Sequence, residues 1–519
     1  MNECGEALAL AGAEERRDGG EANGLSEDDF LALAERYTTV PVAHRVQLTQ
    51  TPMELYRACR GVPAFLFEGD ATGPYAGRFA FIGIDPDRIF HQTAHGAEVR
   101  DGRGRLCKAV PGEGMRDLLR RHIQRGRVAS YPGLPPFFGG AAGYFAHEAV
   151  EEMDDLFHHC PERTLPCSPY AKALWFSPRT VLAVDRVDRT LTVVRSVDIP
   201  ELLGASGRRA LYGRAVEDIR RVLARIEGAG SYAPVAPSPG AFRASRSREE
   251  FLRMVARGKE LIAEGEVYQI VLSQRFDTPC AEDPLDLFAA MRCANPSPYM
   301  FLFEFPDLAV VGTSPEMLVR VRGRQAITRP LAGTKPRGRS VAEDLALEVQ
   351  LRADDKECAE HVMLVDLARN DLARVSLPGS VVVTERMGVE RYARVMHLVS
   401  QVEGVLRPEC DALDALGATF PAGTLSGAPK IRALEHIAEI EGEPRGIYGG
   451  ALGLLHFGGD LETCIAIRTL VLRRGELSLQ VGAGIVADAD PAAEYAETLH
   501  KGRALFEALG GVQKTVGEP

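Results

Sequence analysis

Of 519 residues, 45% are hydrophobic and 26% charged, the composition of a soluble globular protein whose core is large enough for two lobes around one site. The net charge of -11, with no Lys/Arg run, argues against a nucleic-acid partner. Ten scattered cysteines without C-x-x-C spacing indicate reduced thiols, and the lack of a long apolar run or a basic-then-apolar leader argues against a membrane, so a cytoplasmic protein is expected.

Residues 1–29, rich in Glu, Gly and Ala, are expected to form a flexible tail before a first lobe over residues 30–240. AFLFEGD and GRFAFIGIDP, within residues 64–86, read as two strands of one sheet about a Gly-Pro turn, with further strands over residues 171–175, 180–185 and 191–194. Residues 135–148, PPFFGGAAGYFAHE, read as a core loop. The proline-dense SYAPVAPSP, residues 231–239, cannot be helix or central strand and marks the boundary to a second lobe, residues 241–519.

In that lobe Ser247 and Glu250 form a capping box for a helix ending at Gly265. The strand after it alternates, with Tyr268, Ile270, Leu272 and Phe276 on one face and Gln269, Ser273 and Arg275 on the other. A helical region from the Ser340/Glu343 box to about Leu372 puts Glu357, Glu360, His361 and Leu364 on one stripe. In residues 419–433, TFPAGTLSGAPKIRA, Pro429 suits a helix's first turn with Ser426 as its cap, and Gly423 and Gly427 would let an anion approach the helix start. Residues 482–487, GAGIVA, match a weak dinucleotide fingerprint, but no helix begins where a pyrophosphate would need one; the N–H groups of Gly482, Ala483 and Gly484 suit a carboxylate nest instead. A last helix from Pro491 to about Leu509 aligns Glu494, Glu497 and Lys501. One E-x-x-E pair is usually a solvated face; two, on two helices, suit a shared hard cation, and magnesium fits the all-carboxylate donors best.

These segments resemble the chorismate-utilising enzymes, and among them the large subunits of anthranilate synthases. The matching blocks are GEVYQIVLSQ, NPSPYMF, GTSPEMLVR, RPLAGTKPRG, AEHVMLVDLARNDL, VMHLVS, TFPAGTLSGAPKIRA, YGGALG, CIAIRT and VGAGIVADADP, with GRFAFIGIDP and PPFFGGAAGYF the main matches earlier in the chain. The resemblance implies an α/β (α+β) fold of two antiparallel β-sheets packed together, helices outside, in two lobes. It implies Mg2+ between the two acidic helices, with Glu360 and Glu497 as ligands and Glu357 and Glu494 in support. Arg468, Tyr448 and the 482–484 nest would grip the enolpyruvyl carboxylate of chorismate, with Thr424 and Lys501 lining the pocket. Glu316 would protonate the departing ring hydroxyl, and His397 would move the proton in the pyruvate-expelling step, a task suited to an ordinary histidine pKa near working pH.

Two positions choose the nucleophile. Gln269 stands where water-adding relatives carry a lysine, and an amide cannot take a proton from water; Ala332 stands where aminodeoxychorismate synthases carry a nucleophilic lysine. Ammonia is therefore expected, supplied by a separate glutamine amidotransferase subunit. At the regulatory tryptophan site the resemblance implies Glu68, Gly69, Pro298, Tyr299, Met300 and Cys464, but LFEG replaces LLES, so Gly69 stands in place of a serine and feedback inhibition is expected to be weak. The alternatives are a 2-amino-2-deoxyisochorismate synthase, which keeps the pyruvyl group, and a catalytically dead binding relative, against which the intact Glu316, His397, Arg468 and four glutamates argue.

Overall fold

A long antiparallel ribbon, Phe79–Thr93 paired with Ala173–Asp185, organises the strands. Its register shifts between Pro86 and Arg88, beside Asp85 at φ 52°, and the ribbon changes neighbours there. Its first half lies between Ala64–Glu68 and Thr190–Asp198; its second lies between Gly96–Asp101 and Gly140–Phe145. One sheet runs on from Ala64–Glu68 through Tyr299–Phe305, Leu308–Ser314, Thr469–Arg473 and Glu476–Ile485 to Gln269–Pro279. The other runs from Gly140–Phe145 through Ala451–His456, Leu461–Ile465, Met317–Arg322 and Gln325–Thr328 to Val395–Val405, which also pairs with Leu331–Pro336. The two expected antiparallel sheets are thus present, joined into one network by the shared ribbon.

The computed structural model describes residues 24–69, 77–93, 96–124, 126–153, 165–392 and 395–510. Between the sheets lie Phe65, Phe67, Tyr144, Phe176, Phe301, Phe303 and Leu452, with Phe65 and Phe303 stacked at 5.6 Å. Each fully buried ring of this kind stabilises by roughly 1.5–3 kcal/mol. The outer face of the first sheet is covered by Glu27–Arg36, Pro52–Cys59, Ala205–Glu227, Pro284–Ala294 and Pro491–Ala508, and that of the second by Met115–Ile123, Ala412–Thr419 and Asp355–Ala373.

Most of the expected tail, residues 1–23, lies outside the described residues; its last part is already structured, because the Ser26 hydroxyl caps Glu27–Arg36 by accepting from the Asp29 amide. Residues 229–242 carry neither helix nor strand, as the prolines dictate. The division they mark is one of sequence, since Ala64–Glu68 pairs with Tyr299–Phe305 and Gly140–Phe145 pairs with Ala451–His456 across it. The latter pairing also corrects the core-loop reading of residues 135–148: the partner strand, some 300 positions away, turns a glycine-rich loop into a buried central strand. The strands expected over residues 171–175 and 180–185 are one, Ala173–Asp185.

The Ser247/Glu250 box caps the start of Arg248–Ala263 as expected. Tyr268 precedes its strand and is exposed, leaving Ile270, Leu272 and Phe276 to the core. The helical region after Ser340 is two helices, Val341–Arg352 and Asp355–Ala373, because Asp354 takes the Glu357 amide and starts a new helix. No described helix is long and apolar enough to cross a membrane, and the eight described cysteines are unpaired.

Candidate active site

Glu316 sits between the strands Leu308–Ser314 and Met317–Arg322, its carbonyl fixed by the Ile465 amide at 3.0 Å. Its side chain is buried and accepts from Thr424 Oγ1 at 3.0 Å. Burial pushes the carboxyl up to about 8, with the Thr424 hydroxyl pulling the other way, so at neutral pH it holds a proton to give. The turn Gly423–Leu425 presents Thr424, but the segment around it departs from expectation. Ser426 caps nothing; its hydroxyl donates to the Ala422 carbonyl at 3.0 Å. Pro429 is the N-cap of Lys430–Glu441 rather than a first-turn residue. Gly427 admits chain, not an anion: a Cβ there would lie 2.2 Å from the Gln269 carbonyl of the paired strand.

Arg468 immediately precedes the strand Thr469–Arg473 and lies in the left-handed region at φ 50°, a conformation costing about 1–2 kcal/mol that fixed surroundings must hold. Its carbonyl takes the Thr313 amide at 3.1 Å. The residue is half-buried, and that burial depresses the guanidinium, with only the nearby Tyr448 opposing. Among the described residues no carboxylate neutralises it. Such a charge awaits an anion.

Gly482, Ala483 and Gly484 form no nest. They lie in Glu476–Ile485, paired with Ser273, Leu272 and Val271, so their N–H groups alternate in direction instead of converging. The glycines keep the floor bare: a Cβ at Gly482 would lie 2.7 Å from the Tyr448 hydroxyl, and one at Gly484 2.7 Å from Gln269 Nε2. Ala483 faces the core with Ile270 and Leu272. Lys501 Nζ donates to the Gly482 carbonyl at 3.0 Å and meets Glu497 at 2.7 Å.

His397, on Val395–Val405, is buried with Nδ1 3.1 Å from the Gly333 carbonyl and 3.0 Å from Thr334 Oγ1. A carbonyl only accepts, so Nδ1 carries the hydrogen and Nε2 keeps its lone pair. Burial holds the ring at about 4, well below the near-neutral value expected of it; His397 is a neutral, weak base. Ala332, on the strand paired with His397's, is buried against Leu398 and offers no amine.

The four glutamates stand on Asp355–Ala373 and Pro491–Ala508 as expected. Burial and then Glu360 raise Glu357; burial, Glu497 and Glu360 raise Glu494 to about 7, so carboxylates of both helices feel one another. Among the described residues no three acidic, His or Cys side chains close to ligating range. Glu497 instead holds Lys501, and Glu360 accepts from Gln269 Nε2 at 3.2 Å. The donors are all oxygen and their charge is under-neutralised, which fits a hard divalent cation that would draw them together. His361 turns away, bonding Ser400 Oγ at 2.7 Å.

Of the residues expected at a tryptophan site, Gly69 and Tyr299 line a cavity of about 60 Å³ with Phe67, Phe81, Leu454 and Glu462. Tyr299 donates to Glu462 at 2.9 Å. Glu68 is fully buried between Arg186 and Arg292, the latter at 2.5 Å. Met300 packs on the other side of the sheet with Leu66, Cys464 lies in the inter-sheet core, and Pro298 is half-buried beside Tyr299. Sequence reasoning missed Arg445, Glu441 and Glu148, buried charges around Tyr448. Only the RG preceding IYGG hinted at the first.

A family profile described as chorismate binding enzyme matches residues 87–507. The chain is similar to anthranilate synthase component 1 of Pseudomonas aeruginosa, 40% identical over 498 residues, covering 95% of this chain and 100% of that one. It is 45% identical over 410 residues to anthranilate synthase component 1 of Streptomyces coelicolor, covering 75% and 76%. Among solved structures, anthranilate synthase component I from Streptococcus pneumoniae superposes with a TM-score of 0.69 at 32% identity, over 86% of this chain and 99% of that one.

Proposed function

The chain belongs to the chorismate binding enzymes, and on that footing we propose that it is the chorismate-converting component of an anthranilate synthase, forming anthranilate, pyruvate and water from chorismate and ammonia. The observation that carries this reading is Arg468, a guanidinium without a carboxylate partner whose charge acts on Tyr448 and on a histidine kept neutral, in a chain that also keeps the Glu316 acid protonated against Thr424. Arg468 and Tyr448 take the enolpyruvyl carboxylate. Glu316 gives its proton to the ring hydroxyl, which leaves as water, and Thr424 steadies the carboxylate left behind. Ammonia adds to the ring, because Gln269 cannot deprotonate water and Ala332 has no amine. Nε2 of His397 then takes the ring proton as the enolpyruvyl oxygen departs and the ring becomes aromatic, and it returns that proton to the methylene carbon of the departing enolate, which leaves as pyruvate. Glu360 and Glu497, backed by Glu357 and Glu494, would hold Mg2+, whose charge would neutralise the ring carboxylate. Ammonia comes from a separate glutamine amidotransferase, and the product serves tryptophan or other anthranilate-derived biosynthesis in the cytoplasm.

The low basicity of His397 favours a second reading, a synthase that stops at 2-amino-2-deoxyisochorismate. Incubating the purified chain with chorismate, magnesium and ammonium separates the two. Anthranilate with equimolar pyruvate is expected; consumption without pyruvate makes the second reading right, and no consumption makes the chain a binding relative. Glutamine should not replace ammonium without the partner. Replacing His397 with Met should abolish pyruvate release while the amino intermediate accumulates.

A further inference from the structure

Three side chains that the proposed chemistry needs, Thr424, Gln269 and Tyr448, stand on three separate segments, and one side chain ties the backbone beside the first two to the ring of the third. Arg445 is 1% exposed. Its Nη1 donates to the carbonyl of Leu425, next to Thr424, at 2.6 Å, and its Nη2 donates to the carbonyl of Val271, two residues from Gln269, at 2.7 Å. Its Nε and Nη2 bond both oxygens of Glu441, at 2.8 and 2.7 Å, in the last turn of Lys430–Glu441. Its guanidinium lies 5.8 Å from the centre of the Tyr448 ring.

Glu441 carries the link onward, taking both the amide and the hydroxyl of Ser273 at 2.8 Å, and that hydroxyl accepts from Gln480 on the strand that holds Gly482. The segment bearing Arg445 is tied to the N-terminal half: the Gly446 amide donates to Glu148 at 3.0 Å and the Gly446 carbonyl takes the His147 amide at 2.7 Å. Replacing a buried ion pair by apolar groups often leaves stability unchanged, so a fully bonded pair at this junction is better explained by geometry than by stability.

We propose that Arg445, through Glu441, is the positioning residue that holds Thr424, Gln269 and Tyr448 in mutual register, so that the acid, the nucleophile side and the carboxylate grip act on one bound substrate. This rests on the chorismate reading above. Lysine at 445 keeps the charge but cannot serve the Leu425 and Val271 carbonyls and both Glu441 oxygens together.

The test compares the full chain with its Arg445→Lys, Thr424→Ala and doubly substituted forms, assayed with chorismate, magnesium and ammonium across pH. Arg445→Lys should lower kcat/KM about 10- to 100-fold, the usual consequence of displacing reacting groups by around 1 Å. It should also move the alkaline limb of kcat upward, because a displaced Thr424 no longer pulls the Glu316 carboxyl down; the Leu331 amide and Lys501 also lower this carboxyl, and Tyr392 is the other titratable group that feels it. Thr424→Ala should move the limb the same way, and the double variant should move it no further. If Arg445→Lys does not fold, Glu441→Gln, which keeps the shape and the carbonyl bonds, should raise the KM for chorismate and move the limb in the same direction. A folded variant with a lower Tm but an unchanged limb and KM would reduce Arg445 to scaffold and overturn the proposal. An inactive unaltered chain would instead overturn the chorismate reading.

Discussion

The site has a dry half and a wet half, and they were completed by different means. Glu316 and His397 are buried and hydrogen-bonded, and at neutral pH the protein alone holds the first protonated and the second neutral. The glutamate helices stand partly in water: the side chains of Glu497 and Lys501 are 47% and 38% exposed, carboxylates across the two helices hold one another's pKa up, and Lys501 and Gln269 bond Glu497 and Glu360. A protein can preorganise neutral donors by burying them, but it cannot preorganise four like charges without the cation that would join them.

Glu316→Gln breaks the dry half alone. It should lower kcat by about 10²- to 10⁴-fold, the range for loss of a general acid, while the magnesium dependence stays unchanged. The unaltered enzyme should lose activity as pH rises through about 8, where this acid gives up its proton in the free state. Glu360→Gln or Glu497→Gln breaks the wet half. Each should weaken magnesium activation by about 10- to 100-fold, and unchanged titrations in both would return these helices to a solvated face.

The pH dependence of metal binding sharpens the contrast. Glu494 must shed its proton to support a cation, so the apparent magnesium affinity should fall as pH drops below about 7, by up to about tenfold per unit, as calorimetry would show. The smallest effect lies outside both halves: tryptophan should inhibit weakly, because Gly69 lacks a hydroxyl worth roughly 1–3 kcal/mol to a buried ligand, or about 5- to 150-fold in affinity. A low-micromolar inhibition constant would show that the rest of the cavity compensates.

What the sequence disclosed follows the same division. Local signals were legible: the Ser247 capping box, the Pro491 helix start and the two E-x-x-E faces stand where short-range chemistry puts them. The break at Asp354 was hidden because an aspartate inside a helical run and one that caps the next helix read alike. Errors gathered where a distant strand decides the backbone. Gly482–Gly484 read as a nest until Gln269–Pro279 is set beside it, and Gly140–Phe145 read as a loop until Ala451–His456 is. The pKa of His397 was equally out of reach, since it depends on what packs around the ring. Arg445 left only a faint local trace, the RG before IYGG, because two of its partners lie 20 and 174 positions away.

The ribbon Phe79–Thr93 with Ala173–Asp185 also bears on how the chain is made. It is an edge-sharing seam, so neither sheet can dissolve without stripping the other of a neighbour, and the protein should melt as one cooperative unit rather than lobe by lobe. The pairing of Leu66 with Leu302 spans more than 230 positions, and that of Gly143 with Gly453 spans 310, so on a ribosome the first half waits with its strand edges bare until the second half arrives. During that interval the apolar edge Ala64–Glu68 is an aggregation hazard, open to any strand that reaches it before its own partner does.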